Sequence, residues 1–211
     1  MRRSTRSLLE TYLGVGPARS VMKGEIQRGT LTNIEAVILL TDLRGFTALS
    51  EELAAEAVAA ELGTYFEVVI DSVRAWGGDV LKLMGDGVLS VFPVGEDGRA
   101  PACLRALEAV KQAVERARQG DVRPFVSAMH VGDVVYGNIG SPDRLDFTVL
   151  GSTVNLASRL ETVAKTAGPH VCSASVAANL PPSLVQPAGD YELRGVAGPQ
   201  RVYRVVTASA D

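Results

Sequence analysis

Two aspartates sit in this chain at places suited to holding a cation. Asp42 closes the apolar run "EAVILLT" and is followed by Leu43, Arg44 and Gly45, while Asp86 lies in the turn "MGDG" between "DVLKL" and "VLSVF". Carboxylates at strand ends beside glycine offer oxygen ligands to hard divalent cations. Two such ions about 3.5–4 Å apart activate one oxygen and neutralise another in phosphoryl chemistry. Gly45, Phe46 and Thr47 follow where a helix should begin, so their backbone N–H groups are placed to receive a polyphosphate. Either aspartate alone has a plainer explanation, as a helix cap or a turn residue. The two together, in this order and beside these glycines, favour a metal site.

Four more residues carry polar groups where the pattern is otherwise apolar. Lys82 stands among Val80, Leu81, Leu83 and Met84. Facing inward it needs an acceptor, and a purine ring nitrogen would serve; on an edge strand its ammonium simply reaches water. Asn155 and Arg159 are four apart in "STVNLASRLE", hence one above the other on a helix face. An arginine beside an asparagine suits a developing phosphoryl charge and a sugar hydroxyl, although a solvated helix face explains the pair as well. Thr148 could offer a hydroxyl to a base edge, or be an ordinary strand threonine.

These side chains need a scaffold that brings distant segments together. "EAVILLT" reads as a strand buried on both faces. Val58, Leu62, Tyr65, Val69, Val73 and Trp76 mark an amphipathic helix ending at Gly77-Gly78. "DVLKL" and "VLSVF" form a hairpin, and a second helix starts near Pro101. "FVSAMHV" and "VVYGNIG" read as a strand pair turning at Gly132-Asp133, followed by a helix from about Ser152 to Lys165. The order β-α-β-β-α-β predicts a ferredoxin-like α+β sheet with helices on one face. Short strands at "HVCSA", "DYELRG" and "RVYRVV" extend it at the C-terminal end. Residues 1–33 hold two short helical patterns, too small for their own core, and read as a leader packed on the main domain or on a partner chain; residues 34–211 form the main domain.

At 211 residues with a formal charge of −3, the chain is large enough for one sizeable domain and lacks the basic excess of a nucleic-acid binder. No apolar run approaches the ~20 residues of a membrane helix. Cys103 and Cys172 stand alone, without metal-ligand spacing, so a cytoplasmic, reducing location is expected.

The stretches "TDLRGFTALSEEL", "GGDVLKLMGDGVLSVF", "HVGDVVYGNIG" and "RLDFTVLGSTVNLASRLE" resemble, in order and separation, the class III nucleotidyl cyclases, the family of most adenylate and guanylate cyclases. The resemblance spans roughly residues 35–165 and is weaker beyond. It implies the cyclase homology fold, with Asp42 and Asp86 holding two divalent cations, Mg2+ or Mn2+, and the Leu43 carbonyl as an extra ligand. By the same resemblance Lys82 and Thr148 select the purine, threonine at 148 marking a largely bacterial subgroup. Asn155 orients the ribose and Arg159 meets the transition state. The family's further phosphate-binding lysine falls where this chain reads "LRGVAG", so Arg194 is the stand-in. The implied reaction is ATP to 3′,5′-cyclic AMP at sites shared across a homodimer, with residues 1–33 relaying a signal from an upstream sensor in a longer parent protein. A guanylate cyclase and a catalytically degenerate dimerisation domain are the alternatives.

Overall fold

The computed structural model describes residues 5–24, 31–120, 122–141 and 144–207. Two short helices, α1 (Thr5–Leu13) and α2 (Val15–Met22), precede strand β1 (Leu31–Leu43). Then come α3 (Phe46–Glu52), α4 (Ala55–Ala75), the hairpin β2 (Asp79–Met84) and β3 (Gly87–Pro93), and α5 (Arg99–Gln119). The chain continues through β4 (Phe125–Ser141), β5 (Arg144–Leu150), α6 (Ser152–Ala167), β6 (His170–Ser173), α7 (Ala174–Ala177), β7 (Val185–Tyr191) and β8 (Gln200–Val205). One sheet runs β2-β3-β1-β4-β6-β8-β7, with β5 paired to β4. Its first four strands, with α4 and α5, are the expected ferredoxin-like core; β6, β8 and β7 are the expected extension.

The alternation along β1 decides the layering. Val37, Leu39 and Leu43 point to one side and pack with Tyr65, Val69 and Val73 of α4 and Leu107 and Val110 of α5. Ala36, Ile38 and Leu40 point to the other side, where Ala157 of α6 meets them. Successive strand residues face opposite ways, so a run that is apolar throughout requires cover on both faces. Helices on one face only is therefore corrected: α6 lies opposite α4 and α5, burying Leu160 and Ala164 on β4 and β6. Asp42, even-numbered like Ile38 and Leu40, belongs to the α6 side, and this parity positions the site.

A second correction concerns Gly132-Asp133. No turn occurs there; β4 is continuous and pairs with β1 from Phe125 opposite Leu43 to Gly137 opposite Leu31. Gly132 is a glycine because α6 approaches it closely. A Cβ at that position would lie 2.7 Å from Thr153 Oγ1, and that hydroxyl donates to the Asp133 carbonyl oxygen at 2.7 Å. A close approach and a turn give the same glycine in the sequence, and here the approach is the cause. The strand expected at "DYELRG" instead ends at Tyr191, leaving Arg194 in a turn.

The leader contacts the domain. Ala18 is fully buried, and Gly16 lies so near β2 and β4 that a Cβ there would stand 2.8 Å from both Asp79 Oδ2 and Tyr136 Oη. Strand β1 begins at Leu31, three residues before the expected boundary. Residues 25–30 lie outside the described residues. Among the described residues no helix is long and apolar enough to cross a membrane.

Candidate active site

Strand register brings the two aspartates together. Asp42 stands opposite Gly87 on β3, so Asp86, the last residue of the β2–β3 turn, falls beside it. Gly85 makes that turn at φ 66°, a left-handed conformation that glycine adopts without strain. Gly87 is closely hemmed in: a Cβ would sit 3.3 Å from the Met84 and Thr41 carbonyl oxygens. Thr41 is held from the α4 side, its hydroxyl 2.7 Å from that of the buried Tyr65. The end of β1 is thus braced on one face and presents a carboxylate on the other.

The Asp42 carboxylate accepts a hydrogen bond from the Lys165 ammonium of α6 at 2.6 Å, and Glu161, one helical turn earlier, lies 3.6 Å from the same ammonium. Asp86 is pushed above the ordinary carboxylate range, first by partial burial and then by the Asp42 charge. Glu161 is raised for the same two reasons in the same order. The hydrogen bond to Asp42 raises Lys165. The Asp42 charge thus raises the proton affinity of both Asp86 and Glu161, the mark of a negative cluster that favours positive charge.

That donor set fits a divalent cation. The carboxylates of Asp42 and Asp86 lie within hydrogen-bonding reach of each other, and the Lys165 ammonium rests against Asp42. Among the described residues no three acidic, histidine or cysteine side chains form a ready-made metal cage. Hard ions bound through only two carboxylates take their other ligands from water and substrate phosphates. Gly45, at φ 73°, and Phe46 open α3 directly after the strand, with the Leu49 N–H bonded back to the Gly45 carbonyl at 3.1 Å. Thr47 is exposed in its first turn.

The other expected residues lie elsewhere. Asn155 and Arg159 are exposed on α6 above the buried stripe of Ala157, Leu160 and Ala164. They share a pocket of about 420 Å³ with Arg194 and the turn residues Gly195 and Val196, and neither Asp42 nor Asp86 lines it. The structure therefore brings Arg194 to Asn155 and Arg159, from a stretch 35 residues farther along than Arg159 in sequence. At 100° per residue, the Asn155/Arg159 and Glu161/Lys165 pairs point roughly a third of the circumference apart. One helix serves two different places.

Lys82 lies on the sheet's edge strand, just after a register irregularity between Val80 and Lys82. It is exposed rather than inward-facing, and its ammonium donates to Asp146 Oδ2 of β5 at 2.5 Å. Asp146 and Thr148 are two apart on that strand and so share a face. Lys82, Asp146 and Thr148 thus make one polar patch with donors and an acceptor. Asp146, Glu161 and Lys165 were missed in the sequence. Only Asp146 carried a local signal there, its two-residue spacing from Thr148.

Residues 31–207 match the model of the adenylate and guanylate cyclase catalytic domain. "Adenylate cyclase 1" of Rhizobium meliloti is 30% identical over 182 residues, covering 82% of this chain but 27% of that protein. Among solved structures, the adenylyl cyclase CyaB of P. aeruginosa has a TM-score of 0.72 at 27% identity, covering 86% of this chain and 98% of that one. The guanylyl cyclase Cya2 has a TM-score of 0.71 at 28% identity, covering 82% and 92%. The chain spans less than a third of the length of the curated cyclase from Rhizobium meliloti.

Proposed function

This chain belongs to the adenylate and guanylate cyclase catalytic-domain family, and on that premise we propose that it converts ATP to 3′,5′-cyclic AMP and pyrophosphate at two sites shared across a homodimer. The observation that carries the reading is the division of labour within one chain. Asp42 and Asp86 form the cation seat, while Asn155, Arg159 and Arg194 line a separate pocket. A second copy related by two-fold symmetry lets each seat meet the other chain's pocket, completing two equivalent sites.

In that site Asp42, Asp86 and the Leu43 carbonyl would hold two divalent cations, Mg2+ or Mn2+. The chemistry those ions supply when bound is a lowered pKa at the ribose 3′-hydroxyl and neutralised charge on the leaving pyrophosphate. Lys82 donates toward an adenine ring nitrogen, Thr148 offers its hydroxyl, and Asp146 holds the ammonium in place. Asn155 orients the ribose so that the 3′-oxygen lies in line with the α-phosphorus. Arg159 stabilises charge gathering on the α-phosphate oxygens as the bond to pyrophosphate breaks. Arg194 and the backbone N–H groups of Gly45, Phe46 and Thr47 serve the remaining phosphates. The leader helices, docked by α2 against β2 and Tyr136, are where an upstream sensor would bias the dimer.

Preference for GTP is the second reading, supported by the likeness to guanylyl cyclase Cya2. One assay separates them. The purified chain is incubated with ATP or GTP and Mn2+ over a range of protein concentrations. Cyclic AMP is expected from ATP, with turnover per chain rising as the dimer forms, and Lys82→Glu is expected to move preference toward GTP. No cyclic nucleotide from either substrate at high protein concentration sinks the reading.

A further inference from the structure

Lys165 belongs to none of the roles given above, yet it makes a close contact with Asp42. Its ammonium is 2.6 Å from Asp42 Oδ2 and 3.6 Å from Glu161 Oε1. Its side chain is 53% exposed, so the flexible four-carbon stem is free to swing. The Asp42 side chain, by contrast, is only 16% exposed and fixed at the end of a paired strand. A carboxylate cannot give the same oxygen fully to an ammonium and to a divalent ion, because the two positive charges repel at that separation.

We propose that Lys165 is a resident counter-cation that exchanges partners. Without metal it neutralises the Asp42 carboxylate; when a divalent ion takes that carboxylate, the ammonium is displaced and turns to the triphosphate bound beside it. Lys165 then supplies, from the same chain as the two aspartates, a phosphate-facing lysine that the "LRGVAG" segment lacks. Glu161 steadies the ammonium during the exchange, since it lies one turn away on the same helix face. The proposal rests on the reading of Asp42 and Asp86 as metal ligands.

Its signature is a pair of effects of opposite sign. In the 211-residue chain with Lys165→Met, Mn2+ alone, followed by the electron spin resonance signal of the free ion, is expected to bind about fivefold or more tightly than in the unaltered chain. With Mn2+ saturating, 3′-deoxyadenosine triphosphate, which lacks the attacking hydroxyl, is expected to bind about fivefold or more weakly by calorimetry. Lys165→Arg keeps the charge and should restore both constants toward those of the unaltered chain. Methionine is well tolerated in an exposed helix position, and Arg serves as the second variant should Met disturb folding. A general loosening of the site would weaken both affinities, so any outcome other than opposite shifts overturns the exchange. If the unaltered chain binds Mn2+ and Lys165→Met binds it equally, the exchange alone fails. If the unaltered chain binds no Mn2+ and Asp42→Asn changes nothing, the metal reading fails and the exchange falls with it.

Discussion

The division of the site between two faces of α6 makes a quantitative prediction. Asp42→Ala removes the carboxylate that anchors the cation seat, and Asn155→Ala removes a group from the separate pocket on the other side of the same helix. Each variant alone is expected to lose activity by roughly 100-fold or more, because every site in its homodimer carries the defect. Mixing them changes the arithmetic. With free exchange at equal amounts, about half of the dimers are mixed. In a mixed dimer one site carries both substitutions and the other carries neither. Recovered activity should therefore reach about a quarter of that of the unaltered protein at equal mixing and decline on either side of it. The assay is cyclic AMP production by chains carrying different affinity tags, with mixed dimers isolated by sequential capture. Isolated mixed dimers should show about half of full activity. Mixed dimers without recovery would refute the reasoning, because they would mean that both groups act within one chain.

Two more outcomes follow from the packing. Gly132→Ala should lower stability by about 1–3 kcal/mol, since its new methyl group would stand 2.7 Å from Thr153 Oγ1; adding Thr153→Ala should return part of that loss, and unchanged thermal melting of the single variant would contradict the account. His170, 7% exposed on β6 and packed edge-on against Phe125 of β4, has its pKa pushed down to about 4 by burial. The unfolded chain takes up that proton below about pH 6.5 and the folded chain only near 4. The contribution of His170 is thus present above pH 6.5 and lost as pH falls to 4, amounting to about 3 kcal/mol at most. Urea unfolding of the native chain and His170→Gln across that window reads this difference, which should narrow as pH drops; a constant difference would contradict it.

Much of the core could be read from the chain itself, because its cause is local. The uninterrupted apolar run before Asp42 requires a strand covered on both faces, and Gly85-Asp86 between two apolar runs requires a tight turn. Asn155, Arg159 and the stripe Ala157, Leu160, Ala164 follow from helical periodicity and lie on α6 as that spacing demands. Where one residue type has two uses, the pattern misled or left the choice open. Gly132 looked like a turn and is a point of close helix approach. For Lys82 the pattern left an inward-facing and an edge-strand position both open, and the side chain is exposed on the edge strand, paired with Asp146.

The sequence by itself determined which groups this protein possesses: two strand-end carboxylates, an arginine and an asparagine one turn apart, and the alternation that builds the sheet. Only the tertiary structure decided which groups meet. The β1–β3 register sets Asp86 beside Asp42, the parity of β1 turns that pair toward α6, and the approach of α6 delivers Glu161 and Lys165 to it while Arg159 faces Arg194. Periodicity specifies a side chain's direction within its own element. Distances between elements are set by how their faces pack, and no local pattern encodes them.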